Sequence, residues 1–229
     1  MKISILLPYK ENFSPEYPGA VSLFVYETSK ISKFKNNITV FGNTNYKKIF
    51  NLNYININTK KEFFNSQTRN YVNDFIKLER KTKSSIIEVH NRPSYIHIIN
   101  KKIDNQILTL YFHNDPLSMD GSKTIEQRKK LLKSCYKIIF NSSWSKKRFL
   151  EGLENKFVNS NKLLIFYQSA QKGKVSFLKK KKKWITFVGK LNKAKGYDVF
   201  VKSITKILDK YKDWQAIVIG DEKREKITL

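Results

Sequence analysis

A single cysteine, Cys135, stands among 229 residues. An internal disulfide is therefore excluded, as is a cysteine-rich zinc site, and a reducing compartment fits. Acidic residues are also scarce: 19 Asp and Glu face 45 Lys and Arg, for a formal charge of +26. No apolar run approaches the ~18 residues of a membrane span. The stretch Ile3-Ser4-Ile5-Leu6-Leu7 is ended by Pro8 and Lys10, too soon for a secretory signal with its cleavage site. The expectation is a cytoplasmic protein, with peripheral contact at the inner face of an anionic membrane as the furthest it goes. The basic residues are spread along the chain except at Lys179 to Lys183, and no Arg-Gly tract or other nucleic-acid motif interleaves them. Lysine is in excess together with Asn and Ile, in runs such as Tyr54-Ile55-Asn56-Ile57-Asn58, which is how AT-rich codon usage reads. No nucleic-acid partner is expected.

What is present is apolar periodicity. Hydrophobic residues make up 40% of the chain and aromatic ones 14%, enough for one large core or two small ones. Strand and helix patterns alternate throughout, which predicts an α/β fold with a mainly parallel sheet. Strands are expected at Lys2 to Leu7, Ile38 to Phe41, Ile55 with Ile57, Ile86 to His90, Ile107 to His113, Lys137 to Asn141 and Leu163 to Tyr167. Helical faces are expected from Val21, Phe24, Val25, Thr28 and Ile31, from Tyr71, Val72, Phe75 and Leu78, from Tyr95, Ile96 and Ile99, and from Ile125, Arg128, Leu131, Leu132 and Cys135. A further helix starts at Ser143.

Residues 169–183, with Gln171-Lys172-Gly173-Lys174 and five consecutive lysines, have little to bury and read as a basic linker. The expected division is therefore an N-terminal Rossmann-like domain over 1–168, the linker, and the start of a second domain over 184–229. In that second part Trp184 to Val188 and Ala216 to Ile219 read as strands, and Phe200, Ile204, Ile207, Leu208 and Tyr211 share one helical face.

Four loops follow apolar strands and so sit at the carboxyl edge of a parallel sheet, where ligands bind. Pro18-Gly19-Ala20 precedes a helix, and a glycine there lets backbone approach a phosphate. His90-Asn91-Arg92-Pro93 and His113-Asn114-Asp115-Pro116 place two of only three histidines at equivalent strand ends. Histidine there can act as acid, base or hydrogen-bond donor. His113 and Asp115 lie two residues apart, but no further cluster supplies the ligand count of zinc, so no metal site is expected. The fourth loop, Val188-Gly189-Lys190-Leu191 with Lys195-Gly196, joins a strand to a helix, so its free N–H groups, the helix dipole and two lysines make an anion site.

At these residues the chain resembles glycosyltransferase family 4, retaining enzymes of the GT-B fold that use nucleotide sugars. The resemblance rests on Phe187-Val188-Gly189-Lys190-Leu191, Lys195-Gly196 and Ile219-Gly220-Asp221, supported by Gly19, His113 and Phe140-Asn141-Ser142-Ser143-Trp144-Ser145. The two His-Asn loops, with Glu88 and Val89 before the first, look similar to members associated with surface polysaccharide or lipopolysaccharide. The resemblance implies that Gly19, Lys190 and Lys195 bind the donor and that His113 sits by the transferred sugar. His90, Asn91, Arg92, Asn114 and Asp115 then form the acceptor or site loops. It implies a nucleotide-sugar donor, a glycan or glycolipid acceptor, front-face displacement with retention, and no cofactor or essential metal.

Two departures stand out. Position 190 holds Lys where the family usually has Arg, which loses the planar fork that clamps phosphate. The family's paired-glutamate motif is also missing, and Glu222 and Glu225 lie too near Gly220-Asp221 to replace it. The expectation is a truncated donor domain, completed by a partner chain or left as an inactive remnant or a basic membrane- or partner-binding module.

Overall fold

The computed structural model describes residues 1–59, 66–158, 160–169 and 181–220. The chain divides into two compact units, Met1–Gln171 and Lys172–Leu229. That division falls within the stretch read as a linker, of which residues 170–180 lie outside the described residues, as do Asp221, Glu222 and Glu225.

The described residues of the first unit form seven strands: β1 (Ile3–Leu6), β2 (Ile38–Gly42), β3 (Tyr54–Asn56), β4 (Ile86–His90), β5 (Ile107–Phe112), β6 (Lys137–Phe140) and β7 (Leu163–Ile165). They form one sheet in the order β3-β2-β1-β4-β5-β6-β7, every pair parallel. The order reverses between β1 and β4, so the loops leaving those two strands diverge and open a crevice at the sheet's carboxyl edge. Among the described residues, five helices connect the strands: α1 (Ala20–Ile31), α2 (Gln67–Thr82), α3 (Pro93–Ile99), α4 (Ile125–Ser134) and α5 (Ser143–Leu150).

Alternation along each strand sends its side chains to two cores. Leu6, Phe41, Ile87, Val89, Leu110, Phe112 and Phe140 face one way and pack with α2, α3, α4 and α5 through Tyr71, Phe75, Tyr95, Ile96, Leu131 and Phe149. Ile5, Leu7, Ile38 and Val40 face the other way, onto Val21 and Val25 of α1 and onto Phe13. The buried stripe of α1 is Val21, Ser22, Val25 and Ser29, while Ile31 is 80% exposed. Sequence periodicity placed Ile31 on the buried face, but it ends the helix, and the stripe turns away from it. Cys135 likewise caps α4 in extended conformation instead of continuing it.

Buried polar groups lock the elements together. Glu79 of α2 is fully buried and accepts hydrogen bonds from Ser4 Oγ (2.5 Å) and the Ser84 amide (2.7 Å), tying the helix to β1. Tyr71 Oη donates to the Leu7 carbonyl (3.0 Å), and the Tyr9 amide donates to Tyr95 Oη (3.0 Å), so both ends of the loop entrance after β1 are fixed. Such bonds each contribute about 1 kcal/mol net, and more is lost when a buried partner is orphaned.

The second unit contains β8 (Trp184–Val188), α6 (Tyr197–Lys210) and β9 (Gln215–Ile219). β8 and β9 pair in parallel with Val188 opposite Ile219. Of the apolar face predicted for α6, only Ile204 is buried. Among the described residues, no helix is long and apolar enough to cross a membrane.

Candidate functional site

In the first unit the carboxyl edge of the central strands carries a line of four hydrogen-bonded side chains. Glu88 and His90 lie two apart on β4, so they share the sheet face turned toward α1. His90 is opposite Tyr111 on β5, and His113, two residues further, follows on the same face. Glu88 Oε1 is 2.6 Å from His90 Nε2, His90 Nδ1 is 2.9 Å from His113 Nε2, and His113 Nδ1 is 2.5 Å from Gln168 Nε2. Tyr111 stacks on both imidazoles, with ring centroids 5.4 Å and 4.7 Å away, and Phe24 of α1 covers all three rings.

That cover sets the electrostatics. Burial, followed by the neighbouring His90 ring, pushes the His113 imidazole down from 6.5 to about 3, so it is neutral at physiological pH. Burial and then the Glu88 charge push the Tyr111 phenol up to about 12, and its hydroxyl donates to the Phe166 carbonyl at 2.8 Å. The arrangement can pass hydrogen-bond polarity from a carboxylate through two rings to a group at the sheet edge. Among the described residues, no cluster of three or more His, Cys, Asp or Glu is arranged to hold a metal.

The backbone around His113 is pinned. Its amide donates to Asn91 Oδ1 (3.2 Å), and its carbonyl accepts from Asn141 Nδ2 (2.8 Å). Asn91 holds this position with a left-handed backbone, φ 54°. Asn141 Oδ1 accepts from Ser145 Oγ (3.0 Å), and Ser142 caps α5, which gives Asn141-Ser142 a physical role beside the histidine loop. The loop's far end is held by Arg128, whose guanidinium donates to the carbonyls of Ser122, Lys123 and Glu151.

The other predicted residues separate. Arg92 starts α3 and turns its guanidinium back to the Asn91 carbonyl (2.7 Å). Asn114 is exposed. Asp115 accepts from the Leu117 amide and from Arg148 Nε and Nη2, at 3.3 and 3.2 Å, so it braces the loop against α5. Gly19 begins α1, but the nearby anion position is taken by Glu11, whose Oε1 accepts from the Ser22 amide at 3.1 Å. A Cβ on Gly19 would lie 1.8 Å from that oxygen. A phosphate at this helix end has to displace the Glu11 carboxylate.

Sequence reasoning missed Glu11, Gln168 and the role of Glu88. For Glu88 the signal was present: spacing of two on a strand predicts a shared face with His90. Glu11 and Gln168 reach their partners through loops, which carry no such period.

In the second unit, β8 leads through Gly189 and Lys190 to Asn192, whose Oδ1 caps a short turn by accepting from the Lys195 amide (3.1 Å). Gly196 joins that turn to α6 at φ 72°, a conformation open to glycine without strain. Lys190 and Lys195 are exposed, and Lys195 Cβ lies 3.9 Å from where a Cβ on Gly189 would stand. A Cβ on Gly220 would lie 2.0 Å from the Gly189 carbonyl oxygen, so two glycines let the strand ends meet. The loop thus offers bare backbone, two ammonium groups and a helix start. Asp198 in the first turn of α6 is the one opposing charge in that turn.

Residues 168–228 match the family model described as glycosyl transferases group 1. The match spans β8, the glycine and lysine loop, α6 and β9. No curated protein matches the chain in sequence. Among solved structures, HepE of Anabaena, in complex with UDP and glucose, is similar over 98% of this chain and 62% of its own, with 13% identity and a TM-score of 0.68. The UDP-GlcNAc 2-epimerase of Neisseria meningitidis, bound to UDP-GlcNAc, is similar over 95% and 65%, with 12% identity and a TM-score of 0.60. The corresponding epimerase of Methanocaldococcus jannaschii covers 95% and 65%, at 15% identity and a TM-score of 0.53. These likenesses show the fold: an α/β, GT-B-like chain with a seven-stranded parallel Rossmann-like sheet, followed by a second unit in which two strands pair in parallel. The chain spans less than two thirds of the length of these structures.

Proposed function

We propose that the chain is a nucleotide-sugar-dependent glycosyltransferase of the retaining kind, acting on a cell-surface polysaccharide or lipopolysaccharide-type acceptor at the cytoplasmic face of the membrane. The observation that carries this reading is the coincidence of the family match over 168–228 with a glycine loop that carries the exposed Lys190 and Lys195 at the start of α6. Structures of the same fold that hold UDP, glucose or UDP-GlcNAc support it.

In this reading Lys190, Lys195 and the backbone beside Gly189 hold the donor diphosphate. Two point charges at the start of α6 stabilise negative charge as it gathers on the departing phosphate, which is the largest electrostatic demand of the reaction. The acceptor hydroxyl attacks the anomeric carbon from the face the diphosphate leaves, so configuration is kept. The attacking proton goes to the departing phosphate oxygen. His113, neutral and fixed at the sheet edge, is the hydrogen-bonding group that the first unit offers to a sugar hydroxyl. No step requires a metal.

The test is thermal unfolding of the full chain with UDP-glucose, UDP-GlcNAc and UDP. A ligand at 100 times its Kd stabilises by ~2.7 kcal/mol. Lys195→Ala removes one charge-assisted contact worth ~1.5–3 kcal/mol, enough to erase most of the shift. An unchanged shift in the variant removes the phosphate-loop assignment. No shift with any nucleotide moves the reading to a binding module that keeps the fold without the activity.

A further inference from the structure

We infer that Glu88 and His90 are positioning residues that fix which nitrogen of His113 carries its proton, leaving His113 Nδ1 as a hydrogen-bond acceptor at the sheet edge. A carboxylate only accepts, so the proton on the 2.6 Å contact between Glu88 Oε1 and His90 Nε2 belongs to the histidine. In a neutral ring the other nitrogen, Nδ1, is then bare. It lies 2.9 Å from His113 Nε2, and that contact forms only if His113 donates its Nε2–H. His113 Nδ1 is bare in turn and accepts from the Gln168 amide nitrogen at 2.5 Å. Every contact in the line has one donor and one acceptor in this arrangement. A cationic His90 reverses both later contacts, and it would sit wholly buried beneath Phe24 and against Tyr111.

The consequence is a choice of ligand chemistry. A group that replaces Gln168 at Nδ1 has to bring a proton, so a hydroxyl fits and a phosphate oxygen does not. On the proposed function, which this last step rests on, His113 takes a sugar hydroxyl.

The proton positions are read by long-range proton–nitrogen spectra of the full chain labelled with 15N-histidine at pH 7. With three histidines, His113→Gln and His97→Asn variants assign the signals. His97 serves as an internal standard, because its Nε2 faces the Gly121 carbonyl at 2.9 Å and must be protonated. The expected result is His113 with Nε2 protonated and Nδ1 bare. A protonated Nδ1 on His113, with both nitrogens of His90 protonated, overturns the inference. In Glu88→Ala the shifts of His113 should move toward the average of two tautomers. A single unchanged tautomer in that variant overturns the role of Glu88, and if the variant does not fold the wild-type spectrum decides alone. None of these readings needs turnover, so a failure of the glycosyltransferase assignment is separately visible as absent sugar transfer. Where transfer is present, Glu88→Ala should lower kcat about tenfold or more with donor KM changed far less, as for outer groups that orient a functional histidine.

Discussion

Replacing His113 with Gln should flatten the acid side of this protein's stability curve. Burial and the adjoining His90 ring hold the imidazole at about 3 instead of 6.5. Below pH 6.5 the unfolded chain takes up a proton that the folded protein refuses until pH ~3, so the unfolded state binds more protons and stability falls as pH falls. The contribution is therefore fully present above ~6.5 and lost progressively down to ~3. At ~1.4 kcal/mol per pH unit, the 1.5 units from 6.5 to pH 5 amount to ~2 kcal/mol. In a folded unit of this size that corresponds to ~4–8 °C in Tm. Urea unfolding of wild type and His113→Gln at pH 7 and pH 5, at one ionic strength, isolates the effect of this ring and of the His90 ring bonded to it, because the other titrating groups are common to both. Wild type should lose ~2 kcal/mol more than the variant between the two pH values. Equal losses would show that the ring is free to take a proton where it sits, and the buried hydrogen-bond line would be wrong.

Gly220→Ala forces a Cβ to within 2.0 Å of the Gly189 carbonyl, backbone against backbone, so the ends of β8 and β9 must part. A loss of ~1–3 kcal/mol in the second unit is expected, together with loss of nucleotide-induced stabilisation. The fluorescence of Trp184 and Trp214 reports on that unit, and a variant melting like wild type would contradict the close approach. Glu79→Ala leaves the buried Ser4 hydroxyl and Ser84 amide without their carboxylate, at a cost of ~1–3 kcal/mol per orphaned donor. A urea midpoint shift equivalent to less than ~0.5 kcal/mol would mean that water or another group replaces it.

Local chemistry settled much of this protein in advance. Apolar alternation located the strands, and the glycines at 189, 196 and 220 marked the turn that the structure builds around Asn192. The strand order, the faces and the partners were decided elsewhere. Periodicity cannot say that β4 lies between β1 and β5, and without that register His90 and His113 are only two similar loops 23 residues apart. Their rings meet because parallel pairing sets His90 opposite Tyr111 and the pleat returns His113 to the same face. Glu11 occupies the start of α1, and Gln168 closes the line at His113, because loops fold back in ways no repeat in the sequence records. The sequence by itself determined which segments form strands and helices and which loops carry polar groups, since those follow from side-chain spacing along one chain. Which polar atoms face each other, and so which nitrogen of His113 is left to accept, is a property of distances across strands, and tertiary structure alone decides it.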